Sequence, residues 1–284
     1  MEKYIGTQCY GLRKEFEKDF IGTIDRIAEI GFTAIEPLIT LGRTQGKIPL
    51  DIWSIEMLEL AAEEAADKGM SIPSMHVGAG IGNITIPAKK VADSIAEIHD
   101  MTGCSNYVFS GMFSDAAGAK KWGTYLRTVS DLIRPMGCTV IYHNHDDEWA
   151  QIKVGGQPVR AIESFLSVAG PDVMLELDVG WASLGYDEVR LADRYRRRIA
   201  MLHCRDFDKK ALSGRYTRKN MPVEYFVPVG TGAVKVREII EMADQFPAFN
   251  GALIVEQEKY SGEMLDAMAA SFDTISSWIG AAQE

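Results

Sequence analysis

Short apolar runs alternate with longer amphipathic ones along almost the whole chain. The short runs lie at 4–9, 33–38, 71–77, 106–110, 138–144, 173–179, 199–204 and 252–258. They are rich in β-branched and aromatic residues and read as strands. The longer runs lie at 19–30, 52–69, 87–101, 115–134, 159–168, 187–197, 234–245 and 263–282, and read as helices. Pro87 suits a first helical position, and Gly31, Gly69 and Gly137 suit helix ends. Strict strand–helix alternation over 284 residues predicts an α/β fold, a (β/α)8 TIM barrel in one domain spanning 1–284. A doubly wound open sheet would also alternate, but it would carry a glycine-rich phosphate loop after the first strand. TQCYGLRKEF is not such a loop.

A barrel of this kind places its chemistry at the C-terminal ends of the strands. The second predicted strand ends at Glu36 and the third at His76. The fifth runs into YHNHDDEW (142–149), which delivers Asn144, His145 and Glu148. The sixth ends at Asp178, the seventh at His203, and the eighth at Glu256 with Glu258 beyond. Carboxylates with one or two imidazoles make a hard, oxygen-rich set that suits Mn²⁺ or Mg²⁺, with Co²⁺ and Zn²⁺ compatible. One divalent ion, with Mn²⁺ first among these, is the expected cofactor. Such an ion stabilises an enediolate of a sugar, while a nearby carboxylate or histidine moves a proton between carbons. His143 is expected to point away from Asn144 and His145, as a core histidine.

Charge and cysteine usage narrow the partners. A net charge of −10 and a pI near 5.1 argue against a general nucleic-acid or membrane-surface binder. No apolar run approaches the roughly 20 residues that span a bilayer. The N-terminal residues show no signal-peptide core, and the four cysteines are scattered without metal spacing. Free thiols and a cytoplasmic location are the expectation. About thirty residues separate His203 from the next predicted helix, and a loop of that length is usually functional. Its bases, Lys209, Lys210, Arg215, Arg218 and Lys219, offer a clamp for an anion or a solvated surface. The GTG at 230–232 offers a phosphate cradle or a plain turn.

The motifs YHNHDDEW, LELDVGW (175–181), LHCRDF (202–207), PVGTG (228–232) and IVEQE (254–258) resemble the sugar phosphate isomerase/epimerase family with the xylose-isomerase-like TIM barrel. Ketose 3-epimerases and inosose dehydratases are among its members. The resemblance covers nearly the whole chain and implies one divalent metal held from strands five to eight. Asp178, His203 and Glu256 match three of the family's ligands. The fourth, a glutamate three residues before an asparagine in ketose 3-epimerases, is here Ile141. Glu148 is the nearest carboxylate replacement, with His145 or His143 as imidazole alternatives. A substrate-binding histidine of the epimerases is here Trp181, whose aromatic face suits stacking on a sugar ring or aglycone. The resemblance thus implies metal ligands Glu148, Asp178, His203 and Glu256. With the strand-end reading, the expected catalytic groups are His145, Glu148 and Glu256, and the expected substrate contacts are Glu36, His76, Asn144, Trp181 and Arg205.

The expected function is a metal-dependent isomerase or epimerase of a sugar or sugar derivative. Its runner-up is a lyase or dehydratase on a keto-sugar, keto-inositol or oxidised glycoside. A non-catalytic sugar-binding barrel is the reading from another class. An apurinic endonuclease needs a trinuclear zinc cluster with more histidines than the five present. The expected partner is a small carbohydrate, with neither nucleic acid nor membrane, and the chain is expected to form a homo-oligomer (dimer or tetramer).

Overall fold

The computed structural model describes residues 2–41, 53–78, 84–184 and 186–280. Its main sheet has nine parallel strands. They are Tyr4–Gln8, Ala34–Glu36, Leu38–Thr40, Ser74–Gly78, Asn106–Phe109, Thr139–His143, Val173–Asp178, Ile199–Cys204 and Ala252–Val255. The sheet begins at Ala34–Glu36 and ends at Leu38–Thr40, which are two pieces of one barrel strand. Pro37 lies between them and has no N–H to donate to a ladder. The first piece pairs with strand one, Gln8 opposite Glu36. The second pairs with strand three, Leu38 opposite His76, and the Pro37 carbonyl accepts from the His76 N–H at 2.8 Å. The expected eight-strand barrel therefore closes, with its seam at Pro37.

Helices flank the strands as expected. Asp19, Ser54, Asp115 and Asp187 each cap a helix by accepting a backbone N–H of its first turn. Gly31 and Gly137 end theirs in the left-handed region, at φ 112° and 81°. The helix expected from 159 begins at Ala161, after a hairpin of Gln151–Val154 with Gln157–Arg160. Gly155 and Gly156 turn that hairpin with positive φ at both positions.

Two apolar cores result. The larger lies between strands and helices. The smaller comprises Val108, Ile141, Ala200, Met201, Ala252 and Ile254. Period-two alternation puts Ile141 on the face of His143, Met201 on that of His203, and Ile254 on that of Glu256. The small core is thus a plug inside the barrel, beneath the polar rim. Gly6 belongs to this packing: a Cβ there would lie 2.7 Å from Ile254 Cδ1.

The long segment after strand seven folds around one carboxylate. Asp206–Phe207 pairs antiparallel with Phe226–Val227. Asp206 Oδ2 accepts the N–H groups of Gly230 and Gly232, and Oδ1 those of Phe207 and Val234. The GTG amides at 230 and 232 therefore face Asp206, and the phosphate cradle is replaced by an internal cap. A Cβ at Gly232 would meet Asp206 Oδ1 at 2.3 Å. Arg218 N donates to Asp146 Oδ2 at 3.1 Å, and Lys219 lies 3.5 Å from Asp147. The loop thus docks on the segment after strand five. Lys209, Lys210 and Arg215 remain exposed.

Cys9, Cys104, Cys138 and Cys204 are free and buried, and burial pushes the thiols of Cys104 and Cys204 up to about 12. Under native conditions a thiol-reactive disulfide reagent should modify less than one cysteine per chain rapidly, and all four after denaturation. Asp206→Ala strips the acceptor from four backbone donors. Limited trypsin digestion should then cut at the bases between 209 and 219 several-fold faster than in wild type, with far-ultraviolet circular dichroism unchanged.

Candidate metal centre

Strands two, three and five to eight converge on a buried polar layer at their ends. Glu36, Glu176, Asp178 and His203 have no exposed surface, His143 has 1%, and Arg205 has 2%. His76 and Glu256 keep 7% and 8%. Four carboxylates and three imidazoles in such a place demand compensating charge, since an isolated buried ion is expensive.

Two sets of donors meet here. Ligand atoms of His143, Asp178, His203 and Glu256 all lie within 4.8 Å of one another, and so do those of His76, His143, Glu176 and His203. His203 belongs to both by its two edges. Its Nδ1 lies 2.6 Å from Glu256 Oε2, while Nε2 lies 2.9 Å from Glu36 Oε1 and 3.0 Å from Glu176 Oε2. His76 Nε2 is 3.0 Å from both Glu36 Oε1 and Glu176 Oε2. His143 Nδ1 is 3.3 Å from Glu176 Oε2. Burial pulls the pKa of His76 down, but Glu36 and Glu176 outweigh it and lift it to about 9. Burial likewise opposes ionisation of Glu176, yet the surrounding imidazoles hold its carboxyl well below the usual range.

Arg205 supplies a fixed cation. Its Nε donates to Asp178 Oδ2 at 2.8 Å, and one terminal nitrogen lies 2.6 Å from Glu256 Oε2. The guanidinium carbon sits 4.8 Å over the Trp181 ring. A Cβ at Gly180 would lie 2.7 Å from the Arg205 side chain, so glycine there gives the arginine its path. Arg205 was expected as a substrate contact, and the structure turns it to the rim carboxylates.

Asp178, His203 and Glu256 thus come together, with Glu36 and His76 beside them. The rest of the expected set is placed differently. Glu148 is not in either donor group. It accepts from the Tyr142 hydroxyl at 2.6 Å and the His145 N–H at 2.9 Å, and burial raises its carboxyl to about 7. Tyr142 faces the helices, packed on Phe165, and Glu148 follows it outward. Asn144 is spent on the backbone: its Oδ1 accepts from Asp178 N, and its amide donates to the carbonyls of Asp178 and His145. It ties the ends of strands five and six. Trp181 has no exposed surface and packs between Arg205, Phe207 and Phe226, so its face is not open for stacking on a sugar. His145 is half-buried, its ring 4.9 Å from that of His143, with Nδ1 unpartnered.

Two members of the layer were not expected. Glu176 sits two residues before Asp178 in LELDV, and period two alone puts both on the inner face. His143 was expected to turn away from Asn144 and His145. His143 is the last residue of its strand and, two residues after Ile141, shares that residue's inward face. Glu176 lies on the neighbouring strand, directly opposite His143 in register.

The donors fit a hard divalent ion. The side chains present are carboxylates and imidazoles, and Glu176 Oε1 is a buried oxygen with no hydrogen-bond partner. Among the described residues no helix is long and apolar enough to cross a membrane.

Several solved structures share the fold. A sugar phosphate isomerase/epimerase from Parabacteroides distasonis is 22% identical, with 97% of this chain and 94% of that one covered at a TM-score of 0.75. A xylose isomerase-like TIM barrel protein from Mycobacterium smegmatis, in complex with magnesium, is 18% identical, with 99% and 98% covered at 0.68. The probable 3-DHS dehydratase AsbF from Bacillus anthracis is 16% identical, with 97% and 99% covered at 0.68. No curated protein sequence matches the chain. Residues 24–278 match the xylose isomerase-like TIM barrel family, to which this chain belongs.

Proposed function

We propose that the protein is a divalent-metal-dependent isomerase or epimerase of a small sugar or sugar derivative. The observation that carries the reading is the meeting of Asp178, His203 and Glu256 at the ends of three successive barrel strands, with donor atoms within 4.8 Å. These three side chains hold the ion, and Mn²⁺ is the ion first proposed. When bound, such an ion polarises adjacent carbonyl and hydroxyl oxygens of a sugar and offsets the charge of an enediolate.

The chain's own groups do the rest. Arg205 keeps Asp178 and Glu256 in place and is itself held by the Trp181 ring. Asn144 fixes the backbone of Asp178, so the carboxylate starts from a defined position. His145 is the proton carrier: its Nδ1 has no hydrogen-bond partner, and burial followed by the neighbouring His143 holds its pKa well below the usual value. Glu148 accepts the His145 N–H and is a positioning residue in this reading.

The test pairs metal content with proton exchange. Wild type equilibrated with Mn²⁺ and freed of excess should retain at least one ion per chain, and Asp178→Asn and Glu256→Gln should lose it. The loaded wild type should exchange the carbon-bound proton next to the carbonyl of some keto-sugar with D₂O, and His145→Ala should slow that exchange by roughly 10²–10⁴-fold. Exchange coupled to loss of water or of a glycosidic substituent would move the reading to a lyase. Wild type that retains no ion and exchanges no proton would leave a sugar-binding barrel instead.

A further inference from the structure

The segment after strand seven carries five bases, and the proposed reaction uses none of them. Lys209, Lys210, Arg215 and Lys219 are exposed and read as solvated surface. Arg218 is placed differently. It stands with Lys219 at the centre of a turn that Asn220 builds. Asn220 Oδ1 accepts the Thr217 N–H at 2.7 Å and the Thr217 hydroxyl at 3.1 Å, and the Asn220 N–H returns to the Thr217 carbonyl at 3.1 Å. At this tip Lys219 points outward, with 72% of its side chain exposed, while Arg218 turns inward and keeps 27%.

The turn is docked beside the proposed proton carrier. Arg218 N donates to Asp146 Oδ2 at 3.1 Å, and Asp146 directly follows His145. After burial and His143, the charges of Arg218 and Arg205 also act to hold the His145 pKa down. The two arginines differ in how they are matched. Arg205 has ion pairs with Asp178, Glu256 and Glu258. Among the described residues Arg218 has one ion pair, to Asp147 Oδ2 at 3.9 Å, which is beyond hydrogen-bond reach. Asp147 is also shared with Lys219, at 3.5 Å. Arg218 Nε is buried with no hydrogen-bond partner. A guanidinium is a rigid fork of five donors, and a buried one without an acceptor is out of keeping with a settled structural ion pair.

We propose that Arg218 is a substrate-binding residue that pairs with an anionic oxygen group, a carboxylate or a phosphate, on the sugar derivative handled at the barrel mouth. The proposal rests on the function proposed above and names the class of its substrate: a sugar acid or a sugar phosphate. The planar fork suits two parallel hydrogen bonds to such a group. The substrate's anion supplies the acceptor that Arg218 lacks, while the reacting carbon faces the unpartnered Nδ1 of His145. The other candidate anion cradle is already taken, since the amides of Gly230 and Gly232 donate to Asp206.

Binding of matched sugars tests it. Mn²⁺-loaded protein, checked by circular dichroism, is titrated calorimetrically with glucuronate, glucose 6-phosphate and glucose. In wild type at least one anion should bind about 10–100-fold more tightly than glucose, the range expected of hydrogen bonds to a charged group. The preferred ligand then distinguishes carboxylate from phosphate. Arg218→Gln should reduce that anion to the affinity of glucose, Arg218→Lys should keep part of the preference, and Lys219→Gln should leave it unchanged. Equal binding of all three ligands, no binding of either anion, or a preference that survives Arg218→Gln overturns the proposal. Wild type that retains Mn²⁺ and exchanges the proton of a neutral keto-sugar, yet prefers no anion, overturns it and leaves the proposed function standing. Wild type that retains no ion and exchanges no proton overturns both.

Discussion

Everything at the mouth of this barrel follows from the cost of burying carboxylates. Glu36, Glu176, Asp178 and Glu256 lie together with almost no exposed surface. In a low-dielectric interior such a group must be met by cations or give up its charge. The protein meets it with the Arg205 guanidinium and with hydrogen bonds to imidazoles from strands three, five and seven. The fold has to bring those strands into register for the charges to cancel. The parallel pairing of His143 with Glu176, and of His203 with Asp178, does so across adjacent strands.

The same requirement explains the apolar plug beneath. Val108, Ile141, Met201 and Ile254 fill the barrel below the charged layer and keep water from reaching it from that side. An apolar floor strengthens each ion pair above it, because the local dielectric falls. The neighbouring loops are organised by the same means. Asp206 gathers four backbone N–H groups, and Asp146 and Asp147 receive Arg218 and Lys219. The acids of YHNHDDEW therefore work as structural acceptors: two dock the long loop, and Glu148 holds Tyr142 and His145.

The barrel itself is legible in the chain, because strands and helices differ in period and several helices carry a start or stop residue. The seam at Pro37 was legible too, since proline cannot donate within a ladder, yet a run such as TAIEPL looks continuous by hydrophobicity alone. The hairpin at 151–160 hides behind polar residues and shows only in its paired glycines. At the site, strand-end position located Asp178, His203 and Glu256 correctly as neighbours. It failed for Glu148, whose direction depends on a turn after the strand and not on the strand's alternation. It missed Glu176, because a carboxylate two residues inside a strand end is one layer deeper and was not counted as part of the rim. His143 obeys the strand's period, two residues after the inward Ile141, whereas Asn144 and His145 follow the end of the strand and give no guide to its face.

Gly180 shows how little chemistry a decisive position needs. It bears no charge and donates nothing to the site, yet the Arg205 side chain lies where its Cβ would be. A methyl group there would displace the arginine from the Trp181 face and from both carboxylates at once. The charge balance of the barrel mouth is therefore written partly in an absent side chain. A change at this glycine would act as an electrostatic mutation although no ionisable residue had been touched.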